Sequence, residues 1–135
     1  MLAVVARHCI NTIVPTMPET HALARKLGAH LESLGVKLLV PVETNMLFID
    51  TTMTGLTIAD FAEALKTKNI QIFSNPTTTT RLVLHYQITP QAIEDFMQVS
   101  TDLVQAKKKS GFIPIVSEKT VSIETVYPST TPVKN

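Results

Sequence analysis

Residues 81–89 read R-L-V-L-H-Y-Q-I-T and residues 42–50 read V-E-T-N-M-L-F-I-D, and these two stretches decide the architecture. Each has the apolar pattern of a strand and carries polar groups that a purely structural strand does not need. Arg81 opens its run and His85 closes it, with Leu82, Val83 and Leu84 between them. A guanidinium at a strand end is a natural carboxylate clamp, because its planar fork matches two carboxylate oxygens. Pattern alone favours the plainer alternative, a surface arginine that starts an ordinary strand.

Outward from these stretches, residues 2–13 read as one amphipathic helix, with Leu2, Val5, Ala6, Cys9 and Ile13 near helical spacing. Pro15 and Pro18 break the chain, and a second helix runs to Leu34 with Leu23, Leu27, His30, Leu31 and Leu34 on one stripe. Gly35 follows as its C-terminal cap. Strands are expected over 36–40 and 45–50, with Pro41 bending the chain between them. A polar loop over 51–57 leads to a helix over 58–68, capped by Thr57 and ended by Asn69. Strands over 70–73 and 81–86 flank a turn-rich loop, S-N-P-T-T-T-T. Thr89 then caps, and Pro90 opens, a helix to about Lys108. The order α-α-β-β-α-β-β-α implies an α+β fold, with helices packed on one face of a small, mainly antiparallel sheet. Three units follow: residues 1–14 as a leading helix, 15–109 as the α+β domain, and 110–135 as a flexible tail holding three of the eight prolines.

Composition narrows the function classes. A hydrophobic fraction of 44% is enough for a packed core, and a formal net charge of +1 argues against a nucleic-acid partner. The basic run Lys107, Lys108, Lys109 falls where a helix end favours cations, which is a structural explanation. No stretch approaches the roughly 18 apolar residues of a bilayer span, and the first ten residues lack a basic leader before Arg7 and His8 interrupt them. A single cysteine, Cys9, excludes an intrachain disulfide and a cysteine-cluster metal site. Its apolar surroundings predict a buried, inert thiol, and a reducing, cytoplasmic setting fits.

Three motifs stand in order: H-A-L-A-R-K-L from His21, E-T-N-M from Glu43, and R-L-V-L-H from Arg81. Together they resemble the C-terminal small domain of the threonine aldolases, pyridoxal-phosphate enzymes of the aspartate-aminotransferase-like fold type. The resemblance covers about residues 1–104. It implies a parent reaction in amino-acid metabolism, the retro-aldol cleavage of L-threonine or L-allo-threonine to glycine and acetaldehyde. It maps Arg81 onto the arginine that holds the substrate α-carboxylate. Thr44 and Asn45 match the family T-N and His85 the terminal histidine, as supports for that site. Leu84 stands where the family usually has threonine, which removes a hydroxyl. Structural pinning of the Pro41 bend explains Thr44 and Asn45 equally well, and an ordinary strand-end histidine explains His85.

The chain's 135 residues suit one domain. The resemblance therefore implies that the Schiff-base lysine and the cofactor-binding domain lie outside it. On that view this chain binds no pyridoxal phosphate alone, has no catalytic residue of its own, and is inactive alone. Lys26, Lys37, Lys66 and Lys68 all fall on polar faces or element ends, without the burial or cationic neighbours that activate a lysine. The histidines show no metal-ligand spacing, and the glycines are too scattered for a phosphate loop. Two other classes stay open: an interaction module that docks a complementing large domain or a second copy, and a sensor that binds amino-acid carboxylates without turnover.

Overall fold

The computed structural model describes residues 2–112. Helix α1 (Leu2–Thr12) passes through a 3-10 turn (Val14–Thr16) into α2 (Met17–Leu34). Strands β1 (Lys37–Leu38) and β2 (Met46–Asp50), a 3-10 turn (Thr52–Thr54) and α3 (Ile58–Leu65) follow. After a 3-10 turn (Lys66–Lys68) come β3 (Thr79–Val83) and α4 (Pro90–Lys109). The sheet order is β1-β2-β3, antiparallel throughout, so the α+β architecture holds.

The strand period of two sorts the sheet into faces. Leu47 and Ile49 are buried while Met46, Phe48 and Asp50 are half-buried; across the ladder Leu82 is buried while Arg81 and Val83 are exposed. Leu47 pairs with Leu82, and Phe48 with Arg81. The inner face meets Leu27 and Leu31 of α2, Phe61 and Leu65 of α3, and Phe96 and Val104 of α4 in one core. Helix α2 approaches closely at Gly28, where a Cβ would lie 3.0 Å from Val42 Cγ2 and 3.4 Å from Leu38 Cδ1. His30 fastens α2 to α4 through Nε2, 3.1 Å from the Met97 carbonyl and 3.0 Å from Thr101 Oγ1.

Local chemistry sets the element ends. Gly35 caps α2 at φ 97°, and Val36 N–H then donates to Leu31 O at 3.1 Å. Thr57 and Asp60 form a capping box on α3. Thr89 Oγ1 accepts from Ala92 N–H at 3.2 Å, with Pro90 in the first turn of α4. Past α4, Gly111 turns the chain at φ 82°, and Phe112 covers Gly55 with Lys107 Nζ 5.7 Å from its ring centroid.

Several expectations change. The run over 70–73 is not a strand: Ile70 and Ile72 are half-buried and Gln71 and Phe73 exposed, but no ladder forms. Asn69 at φ 56° fixes its start, where Ile70 N–H closes onto Leu65 O at 3.1 Å. The strand expected over 81–86 is displaced to β3, because the chain turns at His85, whose carbonyl accepts from Ile88 N–H at 2.9 Å. The first strand shrinks to two residues. The loop over 51–57 contains a buried pair, Thr51 and Thr54. Thr51 Oγ1 donates to Leu56 O at 2.6 Å, its backbone N–H donates to Thr78 O at 2.8 Å, and Ile58 N–H donates to Thr77 O at 2.8 Å. Cys9 is exposed, not buried, because α1 has no buried residue. The strands or tail expected beyond residue 112 lie outside the described residues.

Two outcomes follow for stability. Thr51→Val leaves the Leu56 carbonyl without its buried donor, and the urea midpoint should fall by the equivalent of about 1–3 kcal/mol. Asp60 is held below the ordinary aspartate range first by Thr57 N–H and then by the Thr57 hydroxyl. A depressed folded pKa gives stability that is present above the unfolded value and lost as pH falls through the folded one. The wild-type acid-unfolding limb below about pH 4 should therefore be steeper than that of Asp60→Asn, followed by circular dichroism.

Candidate functional site

Arg81 sits at the middle of β3 on the open face of the sheet, not at a strand end. Pairing with Phe48 makes this unavoidable, because the neighbours Leu47 and Leu82 fill the core face. Two structures hold the register. At one end, Leu84 N–H donates to Asn45 O at 2.9 Å and Asn45 Nδ2 donates back to Leu84 O at 2.6 Å. At the other, Thr51 ties the chain after β2 to the chain before β3.

Arg81 lines two hollows. One, about 440 Å³ on the open face, is also lined by Leu39, Phe48, Phe73, Asn75, Thr79 and Thr80. The other, about 290 Å³, lies between residues 70–73, β3 and the start of α4. Among the described residues that line them, Arg81 is the one charged side chain, with no carboxylate or lysine. A guanidinium on a partly apolar wall has the planar fork that matches a carboxylate.

The other expected residues do not join it. Asn45 and His85 line a separate hollow of about 180 Å³, together with Thr20, His21, Leu84 and Tyr86. His85 is exposed, Nδ1 accepts from Gln87 N–H at 3.3 Å, and its ring meets Tyr86 edge-on at 6.3 Å. Thr44 is exposed, and its hydroxyl accepts from Met46 N–H at 3.3 Å. Asn45 thus spends its amide on Leu84, and Thr44 braces the start of β2. Phe73 and Asn75 were missed as neighbours of Arg81. Their signal was faint: an outward aromatic in an alternating run, followed by an asparagine whose Oδ1 accepts from Thr77 N–H at 3.2 Å. Among the described residues no group of three or more metal-ligating side chains occurs. No described helix is long and apolar enough to cross a membrane.

No family model matches the chain. Over 94 residues, 70% of its length, the chain is 33% identical to the probable low-specificity L-threonine aldolase of Schizosaccharomyces pombe. The chain spans 23% of that relative's length. The matched stretch is thus similar to part of a threonine aldolase.

Removing the Asn45 amide separates register from chemistry. Asn45→Ala should lower stability by about 1 kcal/mol through the lost bond to Leu84 O, whereas Arg81→Gln, on the exposed face, should stay within about 0.5 kcal/mol of wild type in the same urea titration.

Proposed function

We propose that this chain supplies the substrate-carboxylate half of a threonine-aldolase-type lyase. The parent reaction would be the pyridoxal-phosphate-dependent cleavage of L-threonine or L-allo-threonine to glycine and acetaldehyde, in the cytoplasm. One observation carries the reading: Arg81 is the single charge among the described residues lining its hollows. The likeness to the fission-yeast protein gives that arginine its context. In this role Arg81 is a positioning residue, fixing the α-carboxylate so that the bond to be broken is held in one orientation.

The described residues do not fit the cofactor itself. Its covalent attachment needs an activated lysine beside the substrate, and no described lysine lines Arg81's hollows. No step through the cofactor is therefore assigned to these residues, and its domain is proposed as a partner in space. The exposed Phe73 (77%) and Val83 (48%) support such a partner, since they leave apolar surface beside Arg81 for it to cover.

Calorimetric titration with glycine and L-threonine tests the clamp. Saturable binding weakened at least about tenfold by Arg81→Gln is expected, the scale of a lost charge-assisted bond. Equal binding by both proteins would remove Arg81 from the site. Borohydride reduction with pyridoxal phosphate should leave no adduct on this chain by mass spectrometry; a stoichiometric adduct on one described lysine would overturn the assignment of the cofactor elsewhere.

A further inference from the structure

Helix α2 turns away from the core a face that is its own electrostatic complement. Between that face and residues 38–42 lies a hollow of about 510 Å³, and Arg81 does not line it. Residues 38–42 form its apolar wall, with Pro41 exposed and the other four half-buried. The wall stands clear because β1 ends at Leu38. Leu39 N–H still donates to Phe48 O at 2.8 Å, but Pro41 has no N–H with which to extend the ladder. The helix side of the hollow supplies Arg25, Ala29 and Glu32.

Arg25 and Glu32 are nearly two full turns apart, so they share one face with about 10 Å between them along the axis. Both are exposed, and among the described residues neither side chain has an ion pair or a hydrogen bond. Neighbouring charges are matched within the chain: Lys26 with Glu94, Lys66 with Glu63 and Lys68 with Asp95. An amino-acid zwitterion is too short to reach both Arg25 and Glu32, so their complement is an elongated partner. A two-fold axis midway between them supplies one. It lays α2 of a second copy antiparallel on the first, and each Arg25 then meets the opposite Glu32. The parallel arrangement would set arginine against arginine and glutamate against glutamate, which repel. Ala29, beside the axis, is small enough for the helices to approach. Covering the two apolar walls favours association, while the exposed charges fix its direction.

We infer that the outer face of α2 and the wall over residues 38–42 form a two-fold interface with a second copy of this chain. The helices run antiparallel there, with Arg25 of each copy on Glu32 of the other. The interface uses neither Arg81 nor a cofactor, so it stands or falls apart from the aldolase reading.

Sedimentation equilibrium of the full chain tests it. A monomer–dimer equilibrium is expected, half-associated somewhere between about 1 μM and 1 mM. Arg25→Glu and Glu32→Arg each bring like charges together at both ends of the interface. Each should weaken association at least about tenfold, with an unchanged circular dichroism spectrum because both side chains are exposed. An equimolar mixture of the two variants matches every pair again and should regain wild-type affinity as a heterodimer. The chain carrying both substitutions should regain it as a homodimer. A wild-type chain that stays monomeric to about 1 mM would overturn the inference. So would single variants that associate as tightly as wild type, which would move the contact to another surface such as the exposed side chains of α1. A mixture that associates no better than its components would overturn it as well.

Discussion

The register of β2 against β3 is the constraint on which this domain depends. Leu47 opposite Leu82 turns two leucines onto the helices, and the same alternation puts Phe48 and Arg81 outside. A slip of one residue would exchange the two sets, driving a guanidinium into hydrocarbon and two leucines into water. The sequence guards against this at both ends. Asn45 trades two hydrogen bonds with Leu84, and buried Thr51 joins the exit of β2 to the entry of β3. Neither residue needs a ligand for its job, yet both decide where Arg81 stands.

Around Arg81 the chemistry is divided. Its cation stands among apolar side chains and uncharged polar ones, with no carboxylate or lysine among the described residues that line its hollows. The chain spans 23% of its fission-yeast relative's length. The wall next to Arg81 carries two aromatics, Phe48 and Phe73.

Helices were legible in the sequence because their signals are local. Gly35, Thr57 and Thr89 each act within one turn of the end they set, so α2, α3 and α4 could be placed from composition and spacing. Strands were less legible, since a ladder needs a partner elsewhere in the chain. The alternation over 70–73 is real, but β3 stands off from it, and nothing local records that gap. Cys9 failed for a related reason: an apolar stripe on a helix states a preference for burial without supplying the surface that buries it. Arg81 stood out as a charge in an apolar run. Its neighbours Phe73 and Asn75 come from a loop whose path only tertiary structure defines.

Helix α1 has eleven residues and buries none of them, although Ile13 N–H carries its hydrogen bonding into the following turn at 2.8 Å. Helices shorter than about 12 residues scarcely persist in water unaided. Its order is therefore borrowed from α2, whose first buried side chain is Thr20. Amide hydrogen exchange should consequently be graded along this continuous stretch, fast over α1 and slow only where Ala24, Leu27 and Leu31 enter the core, so that unfolding of the domain begins by fraying from this end.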